Sequence, residues 1–201
     1  MPLRSHSVDP RAERVRNRLR SAAFALAQER PVDHITVGDL VTRADVSRQV
    51  FYRHFRDRDD AVAAAITHAF TEAIAQDAGS DPRARILRVF DFAAEHHTMY
   101  RNVVPSTVTR HVVNTFREAL LPACQQIAAT GTARLSTAGA VTTAPAPESV
   151  ARFLVGGFME VLRSWMEDPD DTDLTGRVNA ALDTVDALLG QSTRQRGPHH
   201  G

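Results

Sequence analysis

The residues SRQVFYRH from Ser47 to His54 gather Arg48, Gln49, Tyr52, Arg53 and His54 within one short stretch. Guanidinium, carboxamide, phenol and imidazole groups all donate hydrogen bonds to anionic oxygen, and Arg and Gln can also meet base edges with paired bonds. Recognition of DNA is the chemistry such a set can do. Catalysis asks for other patterns, and the chain has no glycine-rich phosphate loop, nucleophile elbow or paired-carboxylate constellation.

Side chains read a duplex only when the elements beneath them hold them on one face. Ser47 suits the cap of a helix from Arg48 to about Phe55, with Phe51 and Phe55 turned inward. Upstream, Thr36 with Asp39 three residues later approximates a capping box, although Glu or Gln is the usual partner. A helix of about eight residues follows, with Leu40 and Val41 inward and Ala44 small enough for close approach. Asp45 then falls where the chain must turn sharply, and Asp visits the left-handed region at tolerable cost. Two short helices joined by a tight turn, the second rich in Arg and Gln, make a helix-turn-helix.

The segment from Arg14 to Ile66, above all Val46 to Phe55, resembles the N-terminal domain of the TetR (tetracycline-repressor) family of bacterial one-component regulators. Two positions depart from the family pattern: Asp45 stands where glycine is commoner, and Val50 where threonine is. The resemblance implies an all-α homodimer with an N-terminal three-helix DNA-binding head and a C-terminal helical body that binds a small molecule and dimerises. It also implies residue roles. Thr36 and Ser47 would bond phosphates at helix N-termini. Arg48 and Gln49 would read base edges, Val50 would meet a thymine methyl, and Tyr52 and His54 would clamp phosphates. Arg58 would reach a phosphate, with an ion pair to Asp59 or Asp60 as the alternative.

Charge distribution agrees with a DNA-binding end. Formal net charge is zero, yet residues 1–58 carry 12 Arg against 7 Asp and Glu, whereas residues 59–201 carry 12 against 17. With 43% hydrophobic residues the chain can bury a sizeable core. Cys124 is the single cysteine, which excludes an intramolecular disulfide; its place on an apolar stripe suits an inert buried thiol, with a redox sensor as the alternative. Neither a signal segment nor a membrane-length apolar run is present, so a cytoplasmic protein with no membrane partner is expected.

Apolar periodicity predicts about nine helices and no strand. Residues 11–58 form the head, residues 59–190 the body, and residues 1–10 and 191–201 disordered tails. A first helix from about Arg11 to Gln28 braces the helix-turn-helix. Another runs from the Asp57–Asp60 region to about Asp77. Further helices span about Pro82 to His97, a turn around Met99–Val103, and Ser106 to about Ala129, kinked at Pro122. Gly131 to Pro147 reads as a flexible loop. Helices at about Glu148–Met166 and Leu174–Leu189 close the chain.

Both final helices carry apolar residues around more of the circumference than one core contact needs, which predicts a homodimer formed through them. Within that interface Gly156-Gly157 would allow close approach of backbones, with an intramolecular contact as the alternative. Candidate effector-binding residues are Phe70, Phe90, His97, Tyr100, Phe116, Phe158 and Trp165, large or polar-tipped side chains near inward faces. No cofactor and no metal are expected: His96 and His97 are adjacent and point roughly 100° apart on a helix. The predicted function is a ligand-responsive repressor released from a palindromic double-stranded operator by a small-molecule effector. A ligand-free structural or nucleoid-associated factor is the alternative, and an enzyme using the body's pocket a more distant one.

Overall fold

The computed structural model describes residues 10–75, 81–137, 145–168 and 173–190. The expected tails fall outside these apart from Pro10, as do residues 138–144 of the expected loop. Among the described residues the chain is all-α. Its helices are α1 (Pro10–Glu29), α2 (Val37–Ala44), α3 (Arg48–Phe51), α4 (Arg58–Ala75), α5 (Pro82–Glu95), α6 (His97–Val103), α7 (Thr109–Thr137), α8 (Pro147–Glu167) and α9 (Leu174–Gly190). A single 3-10 turn, Val32–His34, joins α1 to α2.

Short acidic side chains start several of these helices by accepting the amide protons that a first turn leaves over. Asp57 accepts from the Asp60 N–H (2.8 Å), Asp81 from the Arg83 N–H (2.8 Å), and Asp173 from the Gly176 N–H (2.8 Å). Pro82, directly after Asp81, occupies the first helical position, where its missing donor costs nothing.

Two compact units result. One comprises residues 1–72 together with 96–113, the other residues 73–95 with 114–201. The first does not stop at the linear head boundary near residue 58, because α6 packs on α1. Asn102 Nδ2 donates to the carbonyls of Ala27 (2.9 Å) and Gln28 (3.3 Å), closing the end of α1, and Phe24 and His96 meet edge to face at 5.1 Å. Leu19, Leu26, Leu40, Phe51, Phe55, Val62 and Ile66 are all buried there. In the second unit α9 packs on α5 and on α8.

The loop expected from Gly131 to Pro147 is corrected over its first part, since α7 continues to Thr137. Hydroxyls that would favour a loop instead bond back along the helix: Thr132 to the Ala128 carbonyl (2.9 Å) and Ser136 to that of Thr132 (3.0 Å). Gly131 is also held by packing, since a Cβ there would lie 2.7 Å from Leu189 Cδ1. The helix runs through Pro122. No helix of the described residues is long and apolar enough to cross a membrane.

Candidate nucleic-acid interface

The candidate surface is built on α2 and α3. At the start of α2 the capping box is complete: Thr36 Oγ1 accepts from the Asp39 N–H (3.1 Å), and Asp39 Oδ2 accepts from the Thr36 N–H (2.8 Å) and hydroxyl (2.7 Å). Asp fills the reciprocal role despite being one methylene shorter than the usual partner. The Thr36 bonds, with Arg30 nearby, hold the Asp39 carboxyl below its ordinary value. At the far end of α2, Asp45 adopts φ 49° and ψ 58° as expected, and the Val46 N–H reaches back to the Val41 carbonyl (3.0 Å).

Ser47 then caps α3, its Oγ accepting from the Val50 N–H (3.2 Å). The helix expected to reach Phe55 is corrected, for only Arg48–Phe51 is α-helical. Beyond it the chain winds more tightly, with Arg53 N–H bonded to the Val50 carbonyl (3.2 Å) and His54 N–H to that of Phe51 (2.9 Å). The Phe55 N–H still reaches the Phe51 carbonyl (3.0 Å), so Phe51 and Phe55 share one face; both are buried, with ring centroids 5.9 Å apart.

That packing turns the polar residues outward. Thr36, Ser47, Arg48, Gln49 and Arg53 are exposed, Val50 and His54 half-buried, and Tyr52 is 58% exposed. An aromatic ring so exposed adds little to the core and is free to meet a partner. Arg48 lies close to the first turn of α2: a Cβ built on Gly38 would sit 3.3 Å from Arg48 Nη2 and 3.3 Å from Thr36 Oγ1. The lack of a side chain at Gly38 gives that guanidinium room. A positive group beside the amino end of a helix makes a place where an anion satisfies both. His54 is held below its ordinary value by burial and then by Arg16, against the opposing pull of Glu13, so it faces neutral solution as an uncharged imidazole.

Arg58 does not extend from this surface. Its Nε donates to Asp59 Oδ1 (2.6 Å), and Nη1 donates to the carbonyls of Asp33 (3.1 Å) and Ile35 (3.3 Å). The ion-pair alternative to Asp59 describes its state, and its main-chain partners lie 23 and 25 residues away, where no spacing signal could reveal them. Sequence reasoning also missed the contact of Arg18, read as part of a basic arm, with the Asp45 turn, and the room that Gly38 leaves for Arg48.

Six of the seven candidate effector residues are buried. Phe70 and Tyr100 in the first unit are buried and His97 is half-buried; Phe90, Phe116, Phe158 and Trp165 in the second are buried. Phe90 and Phe158 pack with ring centroids 6.1 Å apart. None of the seven lines the four clefts described, which open beside α1, α2, α4 and α5 instead. Burial pushes the Cys124 thiol up to about 12, so it stays protonated and inert at neutral pH. Among the described residues no group of three His, Cys, Asp or Glu side chains could hold a metal ion.

Comparison with known proteins bears on this geometry. Residues 19–65 match the family model of bacterial regulatory proteins, tetR family. Solved structures share the fold over most of the chain. A tetR-family transcriptional regulator from Streptomyces coelicolor aligns at 23% identity and a TM-score of 0.57, covering 91% of this chain and 88% of its own. A TetR transcriptional regulator from Streptococcus agalactiae aligns at 16% identity and 0.61, covering 87% and 95%. A third, NemR of E. coli in its reduced form, aligns at 15% identity and 0.56, covering 85% and 97%. No curated protein matches.

Proposed function

We propose that this chain, whose residues 19–65 match the tetR family of bacterial regulatory proteins, is a ligand-responsive repressor of that family that binds a palindromic operator as a homodimer. The observation carrying this reading is the exposed set Arg48, Gln49 and Tyr52 on a capped α3, beside the amino end of α2. Arg48 and Gln49 enter the major groove, each good pair of bonds giving roughly 1–3 kcal/mol of discrimination. Val50 contacts a thymine methyl. Thr36, Ser47, Tyr52 and His54 meet phosphates and fix register.

Two copies assemble through α8 and α9. Phe153 is 76% exposed and Leu188 68%, and nothing in the described chain lies within 4 Å of a Cβ built on Gly156 or Gly157. Among the described residues no contact with another element therefore requires these glycines, whereas a second helix crossing there would. Two-fold pairing presents two α3 helices to grooves about one helical turn apart, or a multiple of it.

The effector acts by binding the non-operator conformation better than the operator-bound one. It enters by displacing packed aromatic side chains of the kind at Phe90 and Phe158. That dense packing is also what favours the second reading, a ligand-free DNA-binding structural factor. Selection of binding sites from random duplexes separates the two. A recovered palindrome bound by one dimer supports the regulator; recovery of no preferred sequence supports the structural factor.

A further inference from the structure

Within the first unit a series of hydrogen bonds joins the 96–113 segment to Ile35, the residue before the cap of α2. Thr107, just before α7, donates its hydroxyl to Asp59 Oδ2 in the first turn of α4. Asp59 Oδ1 accepts from Arg58 Nε (2.6 Å). Arg58 Nη1 donates in turn to the carbonyls of Asp33 (3.1 Å) and Ile35 (3.3 Å), and Nη2 lies 3.4 Å from the Asp33 carboxylate. Ile35 immediately precedes Thr36, whose capping box starts α2. Burial alone would raise the Asp59 carboxyl, but the Arg58 and Thr107 bonds outweigh it and hold the group below its ordinary value. At neutral pH it is therefore the carboxylate that bridges the two. The same segment grips α1 through Asn102.

We infer that Asp59 and Thr107 are positioning residues for DNA reading, setting the start of α2 through Arg58. A carboxylate with one oxygen on each partner is a stiff connector, and charge-assisted bonds are stronger than neutral ones. Movement of the 96–113 segment shifts Asp59, then Arg58, then the Ile35 carbonyl and the cap beside which Arg48 sits. Arg58 acts on this account through α2 and not by meeting a phosphate. The inference rests on the DNA-reading role proposed above and adds how that surface is aligned.

The test uses the full chain and a duplex selected by the wild-type protein, with affinity measured across salt concentrations and thermal melting alongside. Thr107→Val removes the hydroxyl that donates to Asp59. It is expected to weaken binding about tenfold, the scale of one hydrogen bond to a charged group, with the salt slope unchanged because no phosphate contact is lost. Thr107→Ser restores affinity. Arg58→Ala also weakens binding at unchanged slope, and adding Thr107→Val to it costs nothing further, since the path is already cut. If Thr107→Val does not fold, Asp59→Asn, which keeps an acceptor but loses the charge, is expected to give the same loss at the same slope. Three results overturn the inference: wild-type affinity in the folded Thr107 or Asp59 variant, additive losses, or a slope that falls by about one in Arg58→Ala, the mark of a direct phosphate contact. Failure of the wild-type protein itself to prefer any duplex would instead sink the DNA-reading role.

Discussion

Arg18 of α1 donates from one nitrogen, Nη2, to both the carbonyl oxygen (2.9 Å) and the carboxylate (3.0 Å) of Asp45, the residue in left-handed conformation between α2 and α3. The helix that braces the head thus holds the turn that aims α3. Asp is suited here because its backbone tolerates positive φ and its side chain gives Arg18 a second acceptor.

Asp45→Val is accordingly expected to destabilise the protein by roughly 1–2 kcal/mol, the cost of a branched side chain in the left-handed region. Asp45→Gly relieves that strain but gives up an exposed ion pair worth little, so its stability should match or slightly exceed that of the natural protein. Urea unfolding of both variants checks this. Equal stability of the valine and glycine variants would contradict it.

Acid should weaken the fold through two histidines. His54 is lowered by burial and then Arg16, and His97 by burial and then Arg101, both from an ordinary value of 6.5. A lowered folded value means that the folded state binds fewer protons than the unfolded one. Stability is therefore full above that ordinary value and falls as pH drops through it toward the folded values. Unfolding midpoints measured from about pH 7.5 to about pH 5, where carboxylates remain ionised, should decline. His54→Gln should flatten part of that decline, and an undiminished slope in the variant would remove His54 from the account.

Base reading and phosphate clamping separate by mutation. Gln49→Ala should relax preference at one base pair of each half-site, by roughly 1–3 kcal/mol. Tyr52→Phe should weaken binding to all operator variants alike, having lost one hydroxyl donor to the backbone. Anisotropy titrations against single-base operator variants distinguish them. Uniform loss in Gln49→Ala would take the base-reading role from that residue.

Charges on the exposed face of α8 and α9 should separate the two copies. Phe153→Glu combined with Leu188→Glu places like charges where two apolar side chains now face outward, at little cost to the single chain. Sedimentation should then give a monomer with an unchanged helical spectrum and much weaker operator binding. A persistent dimer would move the interface elsewhere.

Much of the head was legible in the sequence because its signals are local. Thr36, Asp39, Asp45 and Ser47 each act on a backbone group within three residues or on their own φ, so spacing alone reveals them. What spacing could not reveal depends on partners far along the chain. The ion pair of Arg58 with Asp59 is local enough to weigh from sequence, but its bonds to the Asp33 and Ile35 carbonyls are not. Gly131 reads as a loop residue until Leu189 packs on it, and the threonines and serine that follow spend their hydroxyls on the helix. The shortness of α3 was hidden because an i, i+4 pair such as Phe51 and Phe55 fits a regular helix as well as a tighter turn. Effector residues were the least legible, since a large inward side chain looks the same from sequence whether it packs a core or walls a pocket.

Footprinting of the purified protein on DNA flanking its own gene, at low and at moderate salt, tests the central claim most directly. The account predicts a protected, roughly palindromic site that persists at moderate salt, with protection on both half-sites. Diffuse protection that vanishes as salt is added would mean electrostatic attraction without sequence reading, and would contradict it.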